Sequence, residues 1–393
     1  MSTVNQIYTI MNSLNAQANQ GHSLEVVDTR SFISYGETIS SLSTANKETW
    51  FKTLIDRIAS TIIDNRDYTP QLASGLWREP FEYGAILSKL HAKLPSISPD
   101  PAFADPGDLS DTNPFAPTVR EIEQRLYNKI SAFMIADTIP DVQLDTAFLN
   151  ETEMAAFFDG LMTSTDAAYN RSVENLACAC RSALIATAYN EGGAHYVPLL
   201  TMFKTVIADD DPRQSWTASD YDAMLCDRDF LRYCSKQIAL TIKHIQTMNT
   251  MFSAEGYERW TPRRYLNVAI LDDYETSVRS YLAADTYHEE LLSLPTENVT
   301  YVPYWQGAST NFGFDKTSAI EMKIPGNGDT GITVQLGNIV AAIYDSEAAG
   351  ITIDQRRTRT LYNPKDEFTN YWHKGRKMYY VDATHPHVIF TLR

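Results

Sequence analysis

Two histidines near the C-terminus are the first residues whose spacing could support chemistry. One proline separates His385 from His387, so a strand would place both imidazoles on one face, where they could supply two metal ligands. The sequence offers no obvious third ligand beside them. The spacing therefore favours two surface histidines near a turn. Residues 209–211, three aspartates, lack the alternating spacing and distal glutamate of a calcium loop, which favours a solvated loop.

A glycine pattern resembles that of a dinucleotide-binding turn. Gly326, Gly328 and Gly331 have the spacing G-x-G-x-x-G, but that turn works only where a helix follows and its N-terminus holds the phosphates. The residues that follow, 332–336, are strand-like. We therefore predict a turn between two strands and no bound cofactor. The sequence also has no P-loop lysine, no G-x-S-x-G elbow and no H-E-x-x-H motif.

The most enzyme-like feature is the pair Asp272 and Asp273, which directly follows the apolar run 265–271. That run predicts a buried strand, and α/β active sites gather at the carboxyl ends of strands. Aspartate is also a preferred helix cap, and a helical pattern follows at once, so capping is favoured. An α/β enzyme that uses Asp272 or Asp273 remains the alternative. No catalytic, cofactor-binding or metal residue is predicted.

Composition limits the class of protein further. The 393 residues are 44% hydrophobic and carry a net charge of −16, which argues against a protein that coats nucleic acid by neutralising its phosphates. Four cysteines suggest no disulfide framework. No apolar run approaches the ~18 residues of a membrane-spanning helix, and the N-terminus does not resemble a signal peptide. We expect a soluble protein made in the cytoplasm, with no membrane partner.

Charge is distributed unevenly along the chain. Residues 207–229 hold seven Asp and two Arg, whereas residues 356–377 hold seven Lys or Arg against two acidic residues. Blocks of opposite sign could pair between copies of the chain, or they could be solvated faces that never meet. The candidate basic surface, facing a neighbouring subunit or DNA, consists of Arg356, Arg357, Arg359, Lys374, Arg376 and Lys377.

The N-terminal half suggests an arm and a projecting loop. Residues 1–45 are polar and predict an extended arm, and an apolar stripe predicts a helix over 46–64. Two strand-like pieces flank residues 95–117, although a helix would fit equally well around Ile122 and Leu126. The stretch 95–117 contains six prolines, so it cannot be a packed helix or a central strand. We predict a two-stranded loop over 75–149 that lies on a neighbouring subunit.

A long helix is predicted to follow. Asn150 and Glu153 form a variant capping box, apolar positions recur at helical spacing, and Gly192 stops the pattern. Such a helix would be a spine of roughly 60 Å, unless it breaks near Thr163 to Thr165. After it, the patterns predict a helix over 227–252, a strand over 265–271, a helix to Leu282, and strands over 332–336, 339–344, 351–353, 378–381 and 388–392.

Part of the chain resembles the major capsid proteins of short-tailed, podovirus-like double-stranded DNA bacteriophages. The resemblance covers residues 150–393, and the rest only by order of elements. It is carried by these segments: residues 265–274, 287–289 and 291–292, then 337–345, 357–359, 362–364, 371–373 and 379–380.

The resemblance implies an α+β, Hong Kong 97-type capsid fold. Its parts would be an N-terminal arm (1–45), an N-terminal helix region (46–74), an extended loop (75–149), the spine helix of a peripheral domain (150–192), an axial domain (193–345) and peripheral-domain strands (346–393). It implies hexamers and pentamers in an icosahedral shell that becomes part of the virion, assembled in the host cytoplasm. The implied partners are copies of the chain, a separate scaffolding protein, a portal protein and packaged double-stranded DNA. An encapsulin-like compartment shell is the alternative with the same fold.

Overall fold

The computed structural model describes Asn12 and residues 71–78, 87–94, 122–127, 130–140, 151–253, 256–282, 297–306, 318–324 and 331–393. The predicted arm apart from Asn12, the predicted helix over 46–64, the proline-rich stretch 95–117 and most of the glycine turn lie outside these residues. The chain divides into two compact units. The first comprises Met1–Ala73, Ile130–Leu176 and Thr352–Met378, and the second comprises Ser74–Lys129, Ala177–Ile351 and Tyr379–Arg393.

The described helices are α1 (Glu151–Glu191), α2 (Leu199–Lys204), α3 (Tyr221–Cys226), α4 (Arg228–Ile245) and α5 (Asp272–Leu282). The described strands are β1 (Leu87–Ala92), β2 (Ile122–Tyr127), β3 (Ile130–Pro140), β4 (Tyr196–Pro198), β5 (Leu266–Leu271), β6 (Asn298–Val302), β7 (Ile320–Ile324), β8 (Ile332–Leu336), β9 (Ile339–Asp345), β10 (Ala349–Asn363), β11 (Phe368–Val381) and β12 (His387–Thr391). Among these elements, no helix is long and apolar enough to cross a membrane.

The sheet of the first unit has the order β10-β11-β3. β11 runs antiparallel to β3, with Phe368 opposite Pro140 and Met378 opposite Ile130. Its alternating exposure leaves one face against the rest of the unit and one face in solvent, as expected for a strand with a side-chain period of two. β10 and β11 are much longer than the predicted strands over 351–353 and 378–381, so those two boundary predictions were wrong.

The helix α1 confirms the predicted spine, and it ends where Gly192 adopts a φ of 64°. Glycine suits this position because other side chains are strained at positive φ. The part of α1 in the second unit is buried on nearly all sides, at Leu184, Ile185, Ala186 and Ala188 among others. A helix that is apolar all round belongs inside a unit, and α1 therefore forms part of the core there.

The second unit is built on a five-stranded sheet of order β4-β12-β9-β5-β6. β5, β9 and β12 are buried at every residue, which is typical of strands covered on both faces. The amphipathic helix α4 places Phe230, Ile238 and Ile245 in the core. Because β12 pairs with β9 and β4, the C-terminal segment 346–393 is shared between the two units.

Candidate functional site

One face of the hairpin β1–β2 carries large exposed apolar side chains. The strands are antiparallel, with Leu90 opposite Gln124 and Ala92 opposite Ile122. Leu90 is 70% exposed, Ile122 65% and Leu126 60%. Directly opposed residues share a face, and so do alternate residues along a strand. These three side chains, which we call the hairpin face, therefore point to the same side.

The opposite side of this hairpin is held by a buried polar cluster of His91, Arg259, Asp382 and His385, which we call the arginine–histidine cluster. Arg259 donates from Nη2 to His91 Nδ1 at 3.1 Å and from Nη1 to His385 Nδ1 at 2.9 Å. His91 Nε2 lies 3.1 Å from Asp382 Oδ2. The cluster anchors β1 to residues far away in the chain.

Neighbouring contacts extend the same attachment. Lys89 Nζ donates to the main-chain oxygen of Glu347 at 2.7 Å and lies 3.5 Å from Asp382 Oδ2. On β2, Glu123 accepts a hydrogen bond from the Tyr257 hydroxyl at 2.6 Å. Both strands of the hairpin are therefore fixed on one side and exposed on the other.

Burial keeps the histidines of the cluster uncharged. Burial, and next the charge of Arg259, lowers the pKa of His385 to about 3. Burial also lowers the pKa of His91, although the nearby Asp382 opposes this. The pKa of Asp382 is lowered by Thr384, whose hydroxyl donates to it at 2.7 Å, and by the surrounding cations, against the effect of burial. The charged members of the cluster are thus Arg259 and Asp382.

The predicted basic surface is divided between two faces of the three-stranded sheet. Arg357 and Arg359 on β10 and Lys374 and Arg376 on β11 are exposed. The Thr358 hydroxyl lies 3.2 Å from His373 Nδ1, so these two side chains lie on the same face of the sheet. The residues directly before and after each of them along the strand point to the opposite face. Arg357, Arg359, Lys374 and Arg376 together form what we call the basic face.

Lys377 does not belong to this basic face. Its Nζ lies 3.4 Å from the Ser172 hydroxyl of α1 and 5.9 Å from the centre of the Phe133 ring. Burial lowers its pKa. The strand period, which the sequence prediction did not use, therefore sets Lys377 apart from the exposed cations of the predicted surface.

The basic face also contains apolar side chains. Met134 of β3 is opposite Lys374, and Met134 and Leu361 are each 56% exposed. Long cations beside exposed apolar groups are typical of surfaces that pack against protein.

The acidic block at residues 207–229 presents Asp209, Asp210, Asp222 and Asp229 to solvent, and we call these the acidic surface. Arg213 partly neutralises the block, since it contacts Asp211 at 2.7 Å and Asp229 at 3.2 Å. Hydrogen bonds from Arg213 lower the pKa of Asp211 to about 2. The excess of negative charge nevertheless remains on exposed side chains.

The two C-terminal histidines do not share a site, and the prediction that they lie at the surface was wrong for His387. His385 belongs to the arginine–histidine cluster. His387 is fully buried, with its Nε2 2.9 Å from Glu191 Oε2 and its ring stacked on that of His195. Burial, and then His387, lowers the pKa of His195. The sequence offered one weak signal for this group, the four-residue spacing of Glu191 and His195.

Asp272 and Asp273 lie in the first turn of α5, directly after β5, as the capping interpretation predicts. The pKa of Asp272 is raised by burial and by the neighbouring Glu275 and Asp273. Negative charge at a helix N-terminus is stabilised by the helix dipole, which gives both aspartates a structural role.

A family model decides the identity of the chain. The Phi29-like phage major capsid protein model matches residues 7–391, nearly the whole length. The chain belongs to this family. It is a structural protein of a phage head shell, which confirms the resemblance to phage major capsid proteins and sets aside both the α/β enzyme and the compartment shell.

The chain is also similar to chains of solved phage structures. A chain from the capsid structure of Staphylococcus phage Andhra aligns with a TM-score of 0.52 and 8% identity, over 84% of this chain and 86% of that one. A chain from the structure of the head fiber and inner core protein gp22 of native bacteriophage P68 has a TM-score of 0.48, with 10% identity over 81% and 83%. The cyanophage P-SCSP1u capsid gives 0.46, with 10% identity over 81% and 86%. No curated protein sequence matches the chain significantly.

The Andhra alignment confirms the expected mixed helix-and-sheet fold as one shared with phage capsid proteins. The capsid protein acts through contacts with copies of itself, and its exposed surfaces are therefore the candidate functional sites.

Proposed function

We propose that this capsid protein assembles into hexamers and pentamers of an icosahedral phage head, and that the hairpin face is one of its contacts with a neighbouring subunit. The exposed apolar side chains of β1–β2 carry this proposal. An isolated two-stranded hairpin is marginal in water and gains stability when its apolar face is covered. Burying each of Leu90, Ile122 and Leu126 would contribute about 1.5–3 kcal/mol at full coverage.

A second copy of the chain is the occupant that fits best. A shell needs the same heterologous contact repeated around each ring, so one surface of every subunit must fit a different surface of the next. The arginine–histidine cluster holds the hairpin from its other side, which leaves the hairpin face free to present a fixed apolar surface. The proline-rich stretch 95–117, which connects β1 to β2, would extend this contact over the neighbour.

The basic face and the acidic surface supply a second pair of complementary patches. We propose that the basic face of one subunit meets the acidic surface of a neighbour. Met134 and Leu361 within the basic face favour a protein partner over DNA, since sequence-independent DNA contacts are made by cations to phosphates. Contact between the basic face and packaged DNA is the second candidate.

The remaining partners follow from the family resemblance. We propose that the capsid protein interacts with a separate scaffolding protein, a portal protein and double-stranded DNA, which it binds without sequence specificity. We also propose that the phage is short-tailed, with Hong Kong 97-type architecture, and that assembly takes place in the host cytoplasm. We also propose the predicted peripheral and axial domains, except that β12, near the end of the range 346–393, pairs with β4 and β9 in the sheet of the second unit.

Electron microscopy of purified protein tests the hairpin contact. We expect wild-type chains, co-expressed with their scaffolding protein, to form closed shells. The double variant Leu90→Glu/Leu126→Glu should remain folded by circular dichroism but elute as small oligomers. The matched control is Met248→Glu/Met251→Glu, which also places two charges at apolar positions that are 56% and 64% exposed. Normal shells from the hairpin variant would remove the hairpin face from the assembly contacts.

A further inference from the structure

The side chains of Glu191, His195 and His387 converge at the end of α1. Glu191 is the last residue of α1, His195 ends the short 3-10 helix that follows, and His387 begins β12. All three belong to the second unit. We call them the C-terminal histidine site.

Backbone hydrogen bonds define the tautomers of both histidines. His195 Nδ1 lies 2.9 Å from the main-chain oxygen of His387, and His387 Nδ1 lies 2.8 Å from the main-chain oxygen of His385. A carbonyl oxygen can only accept, so each Nδ1 must carry the proton. In the neutral imidazole the lone pair is then on Nε2.

Both Nε2 atoms are directed toward the same carboxylate. Glu191 Oε2 lies 2.9 Å from His387 Nε2 and 3.6 Å from His195 Nε2. His387 Nε2 and Glu191 Oε2 are buried, and apart from their contact with each other neither has a hydrogen-bond partner among the described residues. The ligand atoms of the three residues all lie within 4.8 Å of one another. In the neutral tautomers, two nitrogen lone pairs and a carboxylate oxygen face each other, an arrangement that needs either a metal ion among them or a second proton on an imidazole.

We propose that the C-terminal histidine site binds a divalent transition-metal ion, with zinc as the favoured ion. Two imidazoles and one carboxylate form a known zinc ligand set. The Nδ1–H···O=C hydrogen bonds are the outer contacts that orient histidine ligands in metal sites. Glu191 is the most exposed of the three, at 19% of its side chain, so water can complete the coordination from its side.

A second group of similar composition shows why the tautomers matter. His91, Asp382 and His385 also bring three possible ligand atoms together. There, Arg259 donates to both Nδ1 atoms, which places the protons on Nε2, the atoms nearest Asp382. Protonated nitrogens cannot bind a metal, and Lys89 and Arg259 add positive charge that opposes a cation. The same residue types therefore give an internally paired cluster in one place and a metal site in the other.

A bound ion would join the end of α1 to the C-terminal strand. His387 pairs with Tyr344 at the start of the β12–β9 ladder, and Glu191 is held on the helix. Metal binding to preformed ligands stabilises the folded state over the unfolded one. The site would therefore act as a structural clamp within each capsid subunit.

Titration of zinc chloride into the full-length protein tests the proposal. Protein purified, treated with EDTA and dialysed should bind one zinc ion per chain in isothermal titration calorimetry. Glu191→Gln keeps the size of the side chain but removes its charge, and His195→Gln removes one nitrogen ligand. Each should weaken zinc binding by more than about 100-fold, the upper end of the effect of losing an outer contact. The control His244→Gln, at an exposed position on α4, should bind as wild type does.

Circular dichroism of every variant separates loss of the ligand from loss of the fold. If His387→Gln fails to fold, Glu191→Gln decides, because its side chain is the least buried of the three. Cobalt(II) gives a second readout, since a site with these ligands should produce visible absorption bands that Glu191→Gln lacks. Absence of zinc binding by wild type, or unchanged binding by a folded Glu191→Gln, would overturn the proposal.

Discussion

Gly375 of β11 lies directly against the aromatic ring of Phe133 on β3. The two residues are opposite each other in the antiparallel pair, and a Cβ added to Gly375 would be 2.5 Å from two atoms of the ring. Tyr169 of α1 also packs on Phe133, with ring centres 6.3 Å apart. The glycine thus leaves the space that the ring fills, a packing that pins the register of a sheet.

Gly375→Ala should destabilise the subunit by about 1–3 kcal/mol, since the new methyl group would overlap the Phe133 ring, which must shift to make room for it. Gly337→Ala is the matched control, because its Cβ would lie 3.5 Å from Arg393 Nη2, an ordinary contact. Denaturant unfolding of the three proteins measures the difference. A smaller side chain, in Phe133→Leu/Gly375→Ala, should recover part of the loss. Equal stability of both glycine variants would show that the Phe133 ring moves aside without a cost in stability.

Arg259→Lys should cost about 2–4 kcal/mol of unfolding free energy. One ammonium cannot donate to His91 and His385 in the way the planar guanidinium does, which leaves a buried acceptor without a partner. The matched control is Arg263→Lys, whose partner Glu297 is 3.7 Å away and whose side chain is 58% exposed. That exchange should change stability by less than about 0.5 kcal/mol. A similar small effect at Arg259 would mean that water replaces the lost contacts.

Acidification should weaken the capsid protein through His91. Its folded pKa lies below the usual 6.5, because burial and the charges of Arg259, Lys89 and Arg125 outweigh Asp382. The unfolded chain therefore binds a proton at a higher pH than the folded chain does. The stability from neutral His91 is complete above pH 6.5 and declines as the pH falls toward its lowered pKa.

His91→Gln tests this pH dependence, since an amide can accept from Arg259 and donate to Asp382 without titrating. Urea unfolding at pH 7.5 and pH 5.5 should show a smaller loss for the variant than for wild type. One histidine contributes at most about 1.4 kcal/mol per pH unit. Identical losses in the two proteins would assign the pH dependence to other groups.

The sequence predicts elements well where its signals are local. The helix α1 has a capping pattern in the sequence at one end and Gly192 at the other. The apolar run 265–271 predicted a strand, and it corresponds to β5. The hairpin strands β10 and β11 were predicted too short. They carry Arg357, Arg359, Lys374 and Arg376 on one face, and the pairing of β11 with β3, more than two hundred residues away in the chain, stabilises the hairpin.

The candidate sites were harder to predict because their residues meet only in three dimensions. The alternation of exposure along β10 and β11 separates Lys377 from Lys374 and Arg376, and it could have been applied once the strands were known. No local pattern links Arg259 to His91, which is 168 residues away. The sequence alone also cannot show which ring nitrogen of His387 carries the proton, since a backbone oxygen determines it.

Deleting residues 95–117 should yield soluble subunits or small oligomers in place of shells. Ala92 of β1 is opposite Ile122 of β2, so the shortened connection can still close the hairpin and the subunit should fold. The measurement is size-exclusion chromatography followed by electron microscopy, with circular dichroism as the check on folding. Intact particles would count against a bridging role for this stretch.

Charge reversal should affect stability differently on the two faces of the three-stranded sheet. Lys377→Glu places a carboxylate beside Phe133 and the Ser172 hydroxyl in a half-buried position, so it should lower the stability of the isolated subunit by about 1–3 kcal/mol. Lys374→Glu/Arg376→Glu changes only exposed side chains. It should leave the unfolding curve of the subunit within about 0.5 kcal/mol of wild type.

In an assembly assay, reversing the two exposed charges should have the larger effect. Lys374→Glu/Arg376→Glu should prevent shell formation by a stable subunit, because like charges would then meet at the acidic surface of the neighbour. Lys236→Glu/Lys243→Glu reverses two exposed charges on α4 and serves as the control. A compensating change, Asp209→Lys/Asp210→Lys, should restore shells to the basic-face variant if those two patches meet. Shells that form normally but package less DNA would instead assign the basic face to the nucleic acid.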